Sequence, residues 1–301
     1  MGLARFVNDF RARFSAFMAL AMVSAVGVVY APAMAATEGQ PTPWQLGFQP
    51  AASSLKVRIE ELHDLLLVII TLITIFVLAL LLYTIVRFRA SANPTPSKTT
   101  HHTLLEVAWT VVPVLILVVI AVPSFRLIYF ADKAVDADFT LKVTGHQWYW
   151  TYEYPDHGAF QFDSYMVADA DIKPGQTRLL EVDNRTVVPV GATVRVVIAG
   201  ADVIHSWFVP ALGVQKYAMP GRLNEIWFRV DKPGVYYGQC NQICGVNHAY
   251  MPIAVEAVDK ATFDRWAEAA KRRFADSGLP PLSVAEVMAL EAPRLALNQT
   301  K

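Results

Sequence analysis

Four side chains that bind soft metal ions lie within twelve residues of one another, at Cys240, Cys244, His248 and Met251. They offer two thiols, an imidazole and a thioether, and the chain has no other cysteine. A second imidazole, His205, lies upstream in the segment Asp-Val-Ile-His-Ser-Trp. Sulfur and imidazole ligands suit copper rather than magnesium or calcium. The pattern therefore predicts a copper site made of two cysteines, two histidines and a methionine.

Two other uses of the cysteine pair remain open from the sequence alone. A disulfide would suit an exported chain, but it would close a very short loop and leave His248 and Met251 unexplained. A structural zinc site would use Cys and His, although Met is a poor zinc ligand and C-x2-C is the usual spacing. A blue-copper site needs one Cys, two His and a weak Met ligand. The additional thiolate, which can bridge metals, favours two copper ions.

Two uncharged apolar runs precede this region and predict membrane-spanning helices. Leu65 to Val86 comprises 22 residues and Val107 to Phe125 comprises 19. Each run is long enough to cross a hydrocarbon core of ~30 Å as a helix. The loop between the runs carries Arg87, Arg89 and Lys98, which the positive-inside rule places in the cytoplasm. The C-terminal part is then predicted to lie in the periplasm, with the chain a multi-pass protein of a bacterial inner membrane.

The N-terminus has the pattern of a secretory signal peptide. Three arginines precede an uncharged run from Phe14 that ends in an A-x-A motif, predicting cleavage after Ala35. An uncleaved anchor is the alternative, and either one places Ala36 outside the cytoplasm. The predicted organisation is a signal peptide (1–35), a periplasmic segment (36–64), a two-helix hairpin (65–130) with a cytoplasmic loop (87–105), a periplasmic domain (131–258), and a C-terminal helix and tail (259–301).

The periplasmic domain reads as an all-β sandwich or barrel. Short alternating or apolar segments separated by Pro-Gly turns predict strands at 139–144, 193–198, 225–230, 235–237 and 253–256. Apolar residues at helical spacing predict a helix from Asp259 to Ala275. The tail after Ser277 carries no functional signal.

Several longer segments resemble subunit II of bacterial haem-copper (aa3-type) cytochrome c oxidase. The cysteine-containing segment resembles the family's binuclear copper A (CuA) loop, and the resemblance runs in order from about Trp44 to about Trp266. The other matching segments are Gly-His-Gln-Trp-Tyr-Trp (145–150), Leu-Leu-Glu-Val-Asp-Asn-Arg (179–185), Pro-Gly-Arg-Leu-Asn (220–224) and Tyr-Tyr-Gly-Gln-Cys (236–240). The resemblance implies a cupredoxin-like Greek-key sandwich after the two helices.

The resemblance also implies the copper ligands. Cys240 and Cys244 would bridge two coppers, His205 and His248 would each bind one, and Met251 and the backbone carbonyl of Gln242 would complete the set. The family usually has Glu at position 242, where the side chain also reaches an interfacial magnesium. Because magnesium prefers carboxylate oxygen, Gln242 makes that second metal doubtful here.

The implied function is to accept electrons from cytochrome c and pass them to haem a and the haem-copper centre of subunit I. There, oxygen is reduced to water with proton pumping. Trp148 matches the family's electron-accepting tryptophan, although a core aromatic is the alternative. The stretch 131–258 holds 14 acidic and 10 basic residues, which suits a basic partner. Predicted docking residues are Gln147, Tyr149, Glu153, Asp156, Asp163, Asp183 and Asp202, any of which could instead be a solvated surface residue.

Further partners implied by the resemblance are subunits I and III and the lipid bilayer, whereas nucleic acid is not expected. Glu106 matches a glutamate at the mouth of a proton pathway into subunit I, and the alternative is a helix-start carboxylate. A related quinol oxidase subunit is disfavoured because all copper ligands are present. A membrane-anchored copper-binding or copper-delivery protein remains the rival function. The sequence contains no C-x-x-C-H motif, so it does not predict a fused cytochrome c.

Overall fold

The computed structural model describes residues 39–133 and 136–275. The predicted signal peptide and the tail after Ser277 lie outside these residues. Helix α1 spans Ser54–Arg87 and helix α2 spans Thr103–Ala131, so both predicted apolar runs are helical. Each helix extends beyond its apolar run, and the middle of each is apolar on every side with its side chains exposed. By length and composition both helices could cross a membrane.

Ten strands and one long helix follow within residues 136–275. The strands are β1 (Phe139–His146), β2 (Tyr149–Tyr154), β3 (Phe160–Ser164), β4 (Thr186–Pro189), β5 (Thr193–Gly200), β6 (His205–Val209), β7 (Val214–Ala218), β8 (Asn224–Arg229), β9 (Gly234–Cys240) and β10 (Pro252–Val258). Helix α3 spans Lys260–Ala275. The strands form two five-stranded sheets, in the order β3-β2-β1-β5-β8 and β4-β10-β9-β6-β7. β1 runs parallel to β5 and β4 parallel to β10, while the other pairs are antiparallel.

Large aromatic side chains fill the space between the sheets. Trp150, Tyr152, Trp207 and Phe228 are buried, and the Trp207 indole N–H donates to the Tyr152 hydroxyl at 3.2 Å. Burying one such side chain stabilises the fold by roughly 1.5–3 kcal/mol. The strands that carry them are therefore fixed relative to each other, and their ends are held in register.

Helix α3 extends the aromatic core beyond the sheets. Trp266 packs edge-on against Tyr154, and Phe274 stacks on Phe162 with ring centroids 4.9 Å apart. The Asp259 carboxylate caps the helix by accepting from the Thr262 backbone N–H at 2.9 Å. The predicted helix is confirmed, and its first residue is Lys260 because Asp259 acts as the cap.

The first helix is joined to the sandwich at its N-terminus. The Ser53 hydroxyl caps α1 by accepting from the Lys56 N–H at 3.0 Å and donates to the Leu212 carbonyl at 2.7 Å. Leu212 follows β6 in a single 3-10 turn. Since β6 begins at His205, this joint and the imidazole of His205 lie at opposite ends of the same strand.

Candidate metal centre

The predicted ligands come together where two adjacent strands of the second sheet meet one loop. His205 is the first residue of β6 and Cys240 the last of β9, and β6 pairs with β9 through Trp207 and Cys240. The loop that follows β9 carries Cys244, His248 and Met251. One ligand atom from each of His205, Cys240 and Cys244 lies within 4.8 Å of the others, and all three residues are buried.

The two sulfurs are free thiols lying side by side. Their Sγ atoms are 3.9 Å apart, whereas a disulfide bond is about 2.05 Å long. Cys244 Sγ also lies 3.6 Å from His248 Nδ1 and 3.6 Å from Met251 Sδ. The Gln242 backbone carbonyl lies 3.3 Å from Cys240 Sγ. All six predicted ligand groups therefore converge on one small volume.

A carboxylate orients His205 so that one ring nitrogen is left for a metal. Asp202 Oδ1 lies 2.8 Å from His205 Nε2, so a proton on Nε2 leaves a lone pair on Nδ1. Nδ1 is buried and makes no hydrogen bond of ordinary geometry within the described part of the chain. A buried, unpaired nitrogen beside two thiols is expected where a metal ion completes the site. The residues present therefore fit a soft metal ion.

The surroundings separate the acidities of the two thiols. Burial opposes ionisation of Cys240, but the Ser206 backbone N–H and a His205 ring that carries a proton on Nδ1 as well as on Nε2 outweigh it and lower the pKa to about 7. Burial and the neighbouring Cys240 raise the pKa of Cys244 to about 12. The pair therefore readily supplies one thiolate without metal, and a bound cation would be needed to ionise the second.

The aromatic stretch that follows β1 contacts the loop after β9, which carries Cys244 and Met251. Trp148 is partly buried, and its indole N–H donates to the Cys244 carbonyl at 3.1 Å. The neighbouring buried ring, Trp150, donates to the Met251 carbonyl at 3.2 Å. Two tryptophans of this stretch thus support the backbone of two ligands.

The predicted docking acids lie in two places along β1 and β2, and each already has a partner within the chain. Asp156 accepts from the Thr140 N–H and Glu153 pairs with Lys142, both towards the start of β1. Towards the site end of β1, from neighbouring segments, lie Asp163 on β3, Asp183 before β4 and Asp202 before β6. They accept from the Thr151 hydroxyl, the Tyr165 N–H and the His205 ring respectively. Lys142 and Thr140 lie two and four residues before Thr144, which pairs with Thr151, so at ~3.3 Å per residue the first group lies roughly 7–13 Å further from the site end than Asp163.

Aromatic stacking continues from Tyr149 across the site end. Its ring stacks on His146 at 4.4 Å and on Tyr165 at 4.5 Å between centroids.

In the helix hairpin, Glu106 lies in the first turn of α2 and accepts from the His102 backbone N–H at 3.2 Å. The His102 ring in turn accepts from the Leu105 N–H at 3.3 Å, so Glu106 takes part in a helix-capping arrangement.

Sequence reasoning placed Asp202 only among docking residues and did not identify its contact with His205. Its position three residues before the histidine was the available signal. The supporting contact of Trp150 and the close approach of Gly245 to Trp148 were also missed. Both depend on residues about 100 positions apart in the chain, which no local pattern reveals.

Comparison with known proteins gives one consistent family. The family model of the cytochrome c oxidase subunit II periplasmic domain matches residues 139–258, and that of its transmembrane domain matches residues 41–127. The "Probable cytochrome c oxidase subunit 2" of Rickettsia bellii is 53% identical over 239 residues, covering 79% of this chain and 88% of that protein. Cytochrome c oxidase subunit 2 of Oenothera berteroana is 50% identical over 230 residues, covering 74% and 89%.

Among solved structures, the periplasmic domain of cytochrome oxidase subunit II from Bradyrhizobium japonicum is 52% identical. It covers 47% of this chain and 99% of that one, with a TM-score of 0.45. The matches to both family models and to near full-length relatives agree with the two apolar helices and the cupredoxin-like sandwich. The chain therefore belongs to the cytochrome c oxidase subunit II family, which provides a subunit of the haem-copper oxidase complex.

Proposed function

We propose that this chain binds two copper ions as a CuA centre, accepts electrons from cytochrome c and passes them to haem a of subunit I. The observation that carries the proposal is the pair of free thiols 3.9 Å apart, next to the buried, unpaired Nδ1 of His205. A zinc site would need neither the buried Met251 nor a second bridging sulfur.

Each ligand group has its own part in holding the centre. Cys240 and Cys244 would bridge, His205 and His248 would each bind one ion, and Met251 and the Gln242 carbonyl would lie at the periphery. When bound, a copper pair sharing two thiolates distributes one electron over both ions, which keeps geometric change on reduction small. The strands would hold His205 and Cys240 in place throughout.

Electrons would reach the centre through Trp148. Its indole touches the backbone of Cys244, so the ring links the surface to a bridging ligand. Acidic residues at the site end, Asp163 and Asp183, would attract a basic cytochrome c and raise its association rate. Tyr149 lies beside Trp148 and stays a docking candidate.

The two-helix hairpin would anchor the chain to subunit I, and subunit III would belong to the same assembly. The basic loop between the helices supports a cytoplasmic hairpin tip, with the sandwich in the periplasm of a bacterial inner membrane. Glu106 would then lie near the cytoplasmic surface, where it could lead protons into subunit I. Gln242 would offer an interfacial magnesium only a neutral amide oxygen.

Metal analysis combined with electron paramagnetic resonance on the purified full chain tests the copper centre. We expect two coppers per chain and a spectrum in which one unpaired electron is shared between two copper nuclei. Cys244→Ser should abolish that shared spectrum. One copper per chain, or the spectrum of an ordinary mononuclear site, would contradict the proposal.

A further inference from the structure

The Cys244 carbonyl accepts two hydrogen bonds from adjacent residues of another segment. The Gln147 side-chain amide donates to it at 2.8 Å and the Trp148 indole N–H at 3.1 Å. A carbonyl oxygen has two lone pairs, so both are in use. Gln147 is an exposed residue, and this hydrogen bond, rather than burial, orients its side chain.

The loop approaches these two side chains closely at the next residue. Gly245 has a φ of +120°, and a Cβ built there would lie 2.8 Å from Trp148 Cζ2 and 3.1 Å from Gln147 Nε2. At distances this short, a side chain at position 245 would force the Trp148 ring and the Gln147 amide to shift. The glycine therefore lets the loop rest directly on the Gln147 amide and the Trp148 ring.

The backbone of Gln147 is held from the other side of the centre. Its N–H donates to Asp202 Oδ2 at 2.7 Å, while Oδ1 of the same carboxylate lies 2.8 Å from His205 Nε2. Gln147 thus contacts the loop that carries Cys244 through its side chain, and contacts Asp202, the partner of His205, through its backbone. Trp148 follows directly in the chain, so its ring position depends on both contacts.

We infer that Gln147 is a positioning residue, whose side-chain amide holds the Trp148 indole against the Cys244 carbonyl and so keeps the route into the copper centre short. The inference rests on the proposed function. It assigns Gln147 a role different from docking, because a docking amide would be free to bind the donor protein. Here one of the two amide N–H groups already donates within the chain, which fixes the orientation of the side chain.

Two substitutions separate positioning from docking in the assembled oxidase. Gln147→Met keeps the length of the side chain and removes the hydrogen bond. Gln147→Glu adds a negative charge, yet its carboxylate cannot donate to the Cys244 carbonyl and is repelled by it. Gln161→Glu is the matched control, since Gln161 is exposed on β3 and gains the same charge away from the loop.

Steady-state oxidation of cytochrome c then separates the two roles, because positioning affects kcat whereas docking affects KM. We expect kcat to fall about fivefold in both Gln147 variants, the loss that follows from one hydrogen bond. KM should be unchanged in Gln147→Met, and the added charge in Gln147→Glu should not restore kcat. Gln161→Glu should leave kcat unchanged. If Gln147→Glu raises kcat/KM, or if Gln147→Met raises KM with kcat unchanged, Gln147 is a docking residue and the inference is wrong.

Hydrogen–deuterium exchange of the metal-free full chain in detergent gives a second, independent readout. Loss of the Gln147 hydrogen bond should make the backbone N–H groups of residues 245–250 exchange about fivefold faster, with no change in Gln161→Glu. Equal exchange in Gln147→Met and the unmodified chain would overturn the inference. Because this measurement needs neither copper nor cytochrome c, it decides the role of Gln147 even if the proposed function fails.

Discussion

The candidate metal centre has two halves that are held in different ways. His205 and Cys240 lie at paired strand ends, both buried, with Asp202 orienting the imidazole. Cys244, His248 and Met251 lie on a loop whose Ile243 and Val246 are 81% and 84% exposed. The strands of the sandwich position the first half. The loop half also buries Cys244 and Met251, but its backbone is held by hydrogen bonds from Gln147, Trp148 and Trp150. The loop half should therefore respond to single contacts and the strand half to its orienting carboxylate.

Removing the Trp148 ring should have the largest effect on electron transfer. We expect Trp148→Ala to slow electron transfer from cytochrome c to the chain by on the order of 10²-fold, because misplacing a reacting group by about 1 Å can cost that much. The copper spectrum should persist, since Trp148 offers no ligand atom. Stopped-flow reduction of the oxidase would measure the rate.

Trp44→Ala is the control for this loss, because Trp44 is 97% exposed and lies in the segment before α1. It should transfer electrons at the unmodified rate. Equal rates in Trp148→Ala and Trp44→Ala would show that electrons reach the centre elsewhere.

The strand half is tested by removing the carboxylate that orients His205. Asp202→Ala should weaken copper binding by roughly 10–100-fold, the usual effect of losing the hydrogen-bond partner of a metal-bound histidine. Copper titration against a chelator of known affinity would measure this change. Asp171→Ala removes the same charge from an exposed 3-10 turn and should leave affinity unchanged. If both substitutions act alike, Asp202 contributes only charge.

The loop half is tested at its point of closest approach. Gly245→Ala places a methyl group against Trp148 and Gln147 and should weaken copper binding on the order of tenfold. Gly175→Ala is a matched control, because Gly175 also has a positive φ, +88°, but a methyl group there would meet no other segment within 4 Å. Both variants carry the backbone cost, so the difference in copper affinity between them reports the contact. No difference would mean that the loop adjusts freely.

The two thiols should also ionise separately in metal-free protein. The folded pKa of Cys240, about 7, lies below the ~8.5 of an unfolded cysteine. Its contribution to the free energy of unfolding is therefore present above pH ~8.5 and lost as the pH falls through about 7. The pKa of Cys244 is raised, so its contribution to the free energy of unfolding depends on pH in the opposite direction. That contribution is present below pH ~8.5 and is lost as the pH rises towards about 12.

Thiolate absorbance in the ultraviolet would resolve the two steps. The step near neutral pH should persist in Cys244→Ser and disappear in Cys240→Ser. Two thiols titrating together near pH ~8.5 would show that the surroundings do not distinguish them.

Much of the architecture could be predicted from local pattern, and the exceptions have a physical cause. β1 alternates buried and half-buried residues and was predicted, whereas β4 and β6 are almost wholly buried and show no alternation. β2 was missed although its burial alternates from Tyr149 to Tyr154, because its buried face is made of three large aromatic residues rather than of aliphatic ones. The roles of the individual ligands came from a resemblance. The contact between Gln147 and Asp202 joins residues 55 apart, which only the folded sandwich brings together.

The smallest expected effect concerns Gln242, which belongs to the loop half but would offer copper only its backbone carbonyl. A hard divalent cation at the boundary with subunit I would bind a carboxylate more tightly than an amide, because the amide lacks the negative charge. Gln242→Glu in the assembled oxidase should therefore raise manganese occupancy at this boundary and leave the copper signal intact. Manganese substitution followed by electron paramagnetic resonance measures both metals in one sample. Full, tight manganese occupancy in the unmodified oxidase would mean that subunit I supplies enough ligands alone. A changed copper signal in Gln242→Glu would instead show that this side chain, and not only its carbonyl, shapes the loop half.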